Sequence, residues 1–265
     1  MSLVRTKDIS IYYEKSSKKK NGPLLYISGS GGDLRNKPNH FDSPLAEYFE
    51  MIGYDQRGLG QTSKPEGIYT MQQYADDAAD LLDSLGLNRV PVVGVSFGGM
   101  VAQEFAIRHH TKVSKLVLCC TSSGGKGGSS YPLHELEGLK SNERLEKSLR
   151  INDVRLTDSW IRENPKQWSQ LKEMAVSRIQ YLPDPIGAKK QLMARKDHDT
   201  YDLLAQLDMP TFLAGGKFDG IAPPKNMEFL NNKIYGSKIK FYDGGHLFLV
   251  QDKTAFTNII QWLVE

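Results

Sequence analysis

Three side chains far apart in this chain have the types and the order needed for nucleophilic attack on a carbonyl carbon: Ser96, Asp219 and His246. A serine hydroxyl is almost never ionised near neutral pH, so it becomes a nucleophile only beside a base such as imidazole. The imidazole in turn needs a carboxylate that fixes its tautomer and stabilises the imidazolium formed during attack. Ser96 is the centre of Gly94-Val95-Ser96-Phe97-Gly98, directly after the apolar run Val90 to Val93 and directly before Gly99 to Ala106, which has helical spacing. Turning from strand into helix within one residue forces the central side chain into a sparsely populated conformation and lifts its hydroxyl off the sheet, which is a nucleophile elbow. Flanking glycines suit that turn because a Cβ there would collide with the opposing backbone. The plainer alternative is a glycine-rich turn whose serine caps the helix.

Two downstream segments weigh against the plain turn. Pro210 to Gly216 reads as a buried strand ending in glycines, with Asp219 just beyond it, and Lys238 to Tyr242 alternates as a strand before Asp243-Gly244-Gly245-His246. Each partner follows a strand, so all three side chains can meet at one sheet edge. Asp243 and Asp252 compete for the role of acid. Asp243 is too close along the chain to aim at the inner ring nitrogen, and Asp252 looks like the N-cap of a last helix, Asp252 to Val264, which leaves Asp219 favoured.

These motifs resemble the α/β-hydrolase superfamily over nearly the whole chain, in the subgroup of small esterases, 3-oxoadipate enol-lactonases and cofactor-free haloperoxidases. The matching stretches are Gly94 to Gly98, Ile27-Ser28-Gly29-Ser30-Gly31-Gly32, Tyr54 to Gly60, Gly216-Lys217-Phe218-Asp219 and Gly245-His246. The resemblance implies an oxyanion hole made by the backbone N–H groups of Ser30 and Phe97, the latter at the N-terminus of the elbow helix where the dipole favours negative charge. Relatives usually carry histidine before the first glycine of the early loop, where this chain has Ser28. It also implies ester or lactone hydrolysis of a small molecule through an acyl-enzyme. Carbon–carbon bond hydrolysis or perhydrolysis could use the same residues, and a non-catalytic small-ligand receptor could keep the same scaffold. Serine at the elbow excludes haloalkane dehalogenase and epoxide hydrolase chemistry, which needs a carboxylate nucleophile.

Strands at Leu3 to Arg5, Ile9 to Glu14, Leu24 to Ile27 and Glu50 to Tyr54 are followed by a helix over Met71 to Gly86, in which Tyr74, Ala78, Leu81, Leu82 and Leu85 recur at helical spacing. A short helix is expected around Pro44 to Phe49. Lys115 to Cys120 is a continuous apolar strand of the kind a parallel sheet covered on both faces requires. The expected fold is therefore α/β, a mostly parallel central sheet with helices on both faces. After that strand, Thr121 to Ser130 reads as a flexible loop. From Tyr131 to about Lys196 there is helical periodicity without a convincing strand. Helices are expected at 141–151, 157–163 and 167–181, with breaks at Pro165, Pro183 and Pro185. The organisation expected is a core of residues 1–121 and 200–265 with a helical cap of 122–199 inserted over the strand ends.

Among other candidates, Asp55 and Arg57 are expected to brace their loop. His109 and His110 suit a helix C-terminus, and His134 and His198 sit in or near the cap with no ligand spacing. Trp160, Trp168 and Met174 are expected to be cap core, with a pocket role the less favoured option. Lys and Arg number 34 against 31 acidic residues, a net charge of +3. The one basic run, Lys18 to Lys20, lies in a turn composition, so no nucleic-acid partner is expected. No cofactor or metal is expected, since Cys119 and Cys120 lack zinc-ligand spacing and read as free buried thiols. Without a signal or membrane-spanning stretch the default is a cytoplasmic protein acting on a small-molecule ester or lactone, with homo-oligomerisation left open.

Overall fold

The computed structural model describes residues 2–177 and 179–265; Arg178, inside the helix expected at 167–181, and Met1 lie outside the described residues. Strands form at Leu3–Arg5 (β1), Ser10–Lys15 (β2), Pro23–Ile27 (β3), Glu50–Tyr54 (β4), Val90–Val95 (β5), Val113–Cys119 (β6), Thr211–Gly216 (β7) and Lys238–Tyr242 (β8). They make one eight-stranded sheet in the order β1-β2-β4-β3-β5-β6-β7-β8. The β1–β2 and β2–β4 pairs are antiparallel and every other pair is parallel. In a parallel sheet all carboxyl ends point one way, so the loops after β3, β5, β6, β7 and β8 emerge along one edge, where ligands bind in open α/β sheets.

Period-two alternation decides which helices cover which face. Leu25 and Ile27 of β3, Val90 and Val92 of β5 and Leu116 and Leu118 of β6 pack against Met71–Ser84 (α2), Phe97–Arg108 (α3) and Pro224–Lys233 (α8). Their neighbours Leu24, Tyr26, Val93, Val117 and Cys119 face the opposite layer, made of Leu45–Tyr48 (α1), Phe248–Gln251 (α9) and Thr254–Val264 (α10). The α2 start is set by a capping box between Thr70 and Gln73, and the chain leaves it through Gly86 at φ +68°.

Between β6 and β7 the described residues form helices Ser141–Asn152 (α4), Asp158–Glu163 (α5), Pro165–Ser177 (α6) and Pro185–Lys196 (α7). The departing and returning chains meet in an isolated bridge between Gly124 and Asp199, beside a Thr200 N–H donated to Ser123 O at 2.8 Å. The expected flexible loop at 121–130 is corrected here. Thr121, Ser122 and Ser123 are fully buried, and Gln103 Nε2 donates to Ser122 O. The glycines there serve close approach, since a Cβ on Gly124 would run into the His198 carbonyl. The proline breaks also read differently in the fold. Pro165 and Pro185 are the first residues of α6 and α7, where a missing N–H costs nothing. Helix α10 begins at Thr254 and not at Asp252, whose carboxylate accepts the Thr254 and Asp243 N–H groups at 2.9 Å each. Among the described residues no helix is long and apolar enough to cross a membrane.

Candidate active site

Ser96 sits between β5 and α3 at φ +56°, in the left-handed half of backbone space that a residue with a Cβ adopts only under constraint. Its N–H donates to Cys119 O at 2.8 Å, and its carbonyl accepts Thr121 Oγ1 at 2.8 Å and Gly99 N–H at 2.9 Å. The flanking glycines are explained by contacts a Cβ would make: on Gly98 it would strike the Ile27 carbonyl, and on Gly94 the Gly98 carbonyl and Ala102. Ser96 makes no side-chain cap bond to α3. Its hydroxyl, half-buried, lies instead 2.9 Å from His246 Nε2.

The other two residues meet it from β7 and β8. His246 Nδ1 is 2.8 Å from Asp219 Oδ2, while Asp219 Oδ1 accepts the Ile221 and Ala222 N–H groups at 2.8 and 2.9 Å. With Oδ1 taken up by two N–H donors, Oδ2 is the acceptor that faces the ring, so Nδ1 carries the ring hydrogen and Nε2 is left to accept from Ser96. The Asp219 side chain is shielded from solvent. Asp243 is exposed and faces Arg155 at 3.5 Å, and Asp252 is engaged at the start of α10, so neither reaches the ring.

The C-terminal end of α4 supplies supports that no sequence pattern signalled. Asn152 O accepts the His246 N–H at 2.6 Å, Ile151 O accepts the Gly220 N–H at 3.0 Å, and Val154 N–H donates to Phe218 O at 3.0 Å. A Cβ on Gly245 would collide with the Asn152 carbonyl, which accounts for glycine before His246.

The loop after β3 places Ser30 beside the elbow. A Cβ on Gly29 would rest 3.5 Å from that of Ser96. Gly32 N–H closes on Gly29 O at 3.3 Å and Gly31 N–H donates to Gln191 Oε1 of α7 at 2.8 Å, leaving the Ser30 N–H without a partner among the described residues. Phe97 N–H, in the first turn of α3, has no intrahelical acceptor either. Gln56 braces this loop: its Nε2 donates to Ser28 O at 2.6 Å and its Oε1 faces Gln191 Nε2 at 3.4 Å. Asp55 and Arg57 act as braces, as expected from sequence. Asp55 accepts the Leu34 and Gln61 N–H groups at 2.7 and 2.8 Å, and burial lifts its carboxyl to about 6. Arg57 makes a buried bidentate pair with Asp77 of α2 at 2.9 and 2.7 Å, a reach longer than the local bonds anticipated.

Both cysteines are free and buried, and burial pushes the Cys119 thiol up to about 12 and Cys120 well above its ordinary value. Cys120, itself at φ +41°, meets Asp219 and His246 with ligand-capable atoms all within 4.8 Å. The sequence showed no such partners because all three come from different loops. The 2.8 Å separation of Nδ1 and Oδ2 fits a shared hydrogen; two ligands of one tetrahedral zinc ion stand about 3.3 Å apart. Two cavities flank the site. One of about 280 Å³ is walled by Ser28 to Gly32 and by His40, and a broad apolar groove of about 920 Å³ between α1 and α10 counts His246 and Val95 among its lining residues. Among the cap candidates Trp168 is buried and Met174 is exposed, and neither lines these cavities.

A serine hydroxyl on a strained turn, a ring nitrogen and a shielded carboxylate in one chain of hydrogen bonds, at the carboxyl edge of a parallel sheet, define a hydrolase scaffold. Residues 22–253 match the model of the α/β-hydrolase fold family, and the chain belongs to that family. It is 29% identical to a poly(3-hydroxyalkanoate) depolymerase of Ectopseudomonas oleovorans over 90% of this chain and 82% of that one. It is 27% identical to a 2-hydroxy-6-oxo-2,4-heptadienoate hydrolase of Pseudomonas putida over 90% and 87%. A thermophilic esterase from Thermogutta terrifontis superposes with a TM-score of 0.75 at 25% identity, covering 99% of this chain and 97% of that one.

Proposed function

We propose that this chain is a serine hydrolase that cleaves a carboxylic ester or lactone of a small molecule through an acyl-enzyme on Ser96. The observation that carries it is the continuous relay from Ser96 Oγ through His246 to Asp219, at 2.9 and 2.8 Å. His246 Nε2 takes the hydroxyl proton as Oγ attacks the carbonyl carbon, and the imidazolium is stabilised by Asp219. The Ser30 and Phe97 N–H groups receive the developing oxyanion, and the proton passes from Nε2 to the departing alkoxide. Water, deprotonated by the same nitrogen, then releases the acid and restores Ser96. The relatives named as a depolymerase and an esterase support an ester substrate. Helices α4 to α7 act as a cap over the strand ends, excluding water and shaping the pocket.

The experiment is hydrolysis of short-chain p-nitrophenyl esters and simple lactones by wild type and Ser96→Ala. Wild type turns them over, and the variant falls by several orders of magnitude, to the roughly 10³ to 10⁴ over water that binding and the oxyanion hole sustain. A Ser96→Ala protein as fast as wild type would overturn the mechanism. Turnover of a ring-fission diketone acid in place of every ester would move the assignment to carbon–carbon hydrolysis.

A further inference from the structure

At the root of the helical insertion, where residues 122–130 leave the sheet and 195–198 return to it, a partly open cavity of about 160 Å³ gathers polar groups the hydrolytic relay does not use. Arg195 of α7 is 6% exposed and reaches one partner, Ser130 Oγ at 2.8 Å from Nη2, while its Nε has none. Among the described residues no carboxylate pairs with it, and burial alone lowers its guanidinium to about 10. His198 is 5% exposed; the Ser122 carbonyl lies near its ring, yet neither ring nitrogen completes a hydrogen bond. His134 Nδ1 is likewise buried without a partner, and Ser122, Ser129, Ser130, Pro132 and the exposed Lys196 also line the wall. A buried cation without a counter-ion is costly, and neutral imidazoles and hydroxyls can turn N–H and O–H groups toward whatever neutralises it.

We propose that this cavity binds a small oxyanion, a carboxylate or an ion of phosphate size, on the Arg195 guanidinium with the His198 and His134 rings and the Ser122 and Ser130 hydroxyls. Its volume is that of about five waters, enough for an oxyanion of four or five heavy atoms and too little for a large ligand. The planar fork of arginine matches two oxygens of one such group. The anion has two sources: a free ion from solution, or a carboxylate carried by the substrate. Met100, in the wall, donates its N–H to Ser96 O at 3.3 Å, so the wall includes a residue about one helical turn along α3 from Ser96. The substrate source rests on the hydrolase reading of Ser96, and the free-ion source does not.

The test is thermal unfolding of the full chain in sodium acetate and sodium phosphate from 1 to 100 mM, against sodium chloride at matched ionic strength. It is repeated on Ser96→Ala so that loss of hydrolysis and loss of anion binding are read separately. Wild type and Ser96→Ala should both gain several degrees over chloride. Arg195→Met should gain nothing, yet unfold no earlier than wild type in chloride, because the cation it removes had no counter-ion. Ser130→Ala, which keeps the arginine, should need about tenfold more anion for the same shift. Kinetics separate the sources. A substrate carboxylate predicts that the mono-p-nitrophenyl ester of glutaric acid beats its methyl diester by about 10- to 100-fold in kcat/KM, that Arg195→Met abolishes the preference, and that acetate competes. Stabilisation without competition assigns a free ion. If acetate and phosphate act as chloride does and Arg195→Met leaves the ester ratio unchanged, the cavity holds water and the proposal is wrong.

Discussion

Replacing Asp219 by asparagine tests the relay more sharply than deleting it, because the hydrogen bonds dictate how the amide must sit. Asp219 Oδ1 accepts two backbone N–H groups, from Ile221 and Ala222, so the asparagine oxygen has to take that place. Its NH2 then occupies the Oδ2 position, 2.8 Å from His246 Nδ1. Two donors cannot face each other, so Nδ1 becomes the acceptor and the ring hydrogen moves to Nε2, the atom that must receive the Ser96 proton. The base is lost while volume and packing are kept. The expected loss in kcat is about 10⁴-fold, roughly 5.5 kcal/mol of transition-state stabilisation. Short-chain p-nitrophenyl ester hydrolysis reads it, and the midpoint of thermal unfolding should stay within a few degrees of wild type. Asp219→Ala is the contrast: it leaves the two N–H groups buried without an acceptor, at about 1 to 3 kcal/mol each, so it loses stability as well. An Asp219→Asn enzyme that keeps a tenth of wild-type kcat would refute the tautomer argument.

Three further outcomes follow from the supports. Asp77→Ala strips the buried Arg57 of its partner, and urea unfolding should report a loss of about 3 to 5 kcal/mol, whereas an exposed pair such as Arg108 with Asp76 should cost under about 1. Gln56→Leu removes the Nε2 donor that holds Ser28 O and should lower kcat about tenfold with a smaller change in KM, since in the proposed mechanism the loop meets the transition state more closely than the substrate. Asp55 titrates near 6 in the fold, above its unfolded value of about 3.9, so its contribution is fully present below about pH 4 and is lost as pH rises through 6. Denaturation midpoints from pH 4 to 7 should therefore show a falling component on the order of 2 kcal/mol that Asp55→Asn lacks.

What could be read beforehand was whatever short-range patterns encode. The strand at Glu50–Tyr54 and the one at Lys238–Tyr242 have their expected limits, because apolar runs and alternation set them locally. Ser96, Asp219 and His246 could be named because each lies just past the end of a strand in a glycine-marked turn. What escaped depends on contacts between segments distant in sequence. The grip on the His246 N–H is made by the backbone carbonyl of Asn152, which any residue could supply, and the Gln191 bond to Gly31 and the Gln56 brace on Ser28 by ordinary polar side chains without a motif. Helix α7 had a signal that went unused, since Asp184 before Pro185 is an N-cap followed by proline at the first helical position, with Asp184 Oδ1 accepting the Gly187 N–H at 2.7 Å. The glycines at 124–128 misled in the other direction. Composition suggested mobility, and crossing chains required them for lack of room.

The bonds from Ile151, Asn152 and Val154 to the loops bearing Asp219 and His246 also limit how a reactant gains entry. A flap hinged at both roots and swinging open as one body would pull on the base and its acid together, disarming the molecule each time it admitted a guest. If α4 to α7 cap the site as proposed, the end of α4 would stay seated during passage, and the α5 and α6 stretch, with its largely exposed side chains, is the part left free to yield. On that proposed reading the insertion would divide its labour along its own length, one end serving as a bolt and the other as a door.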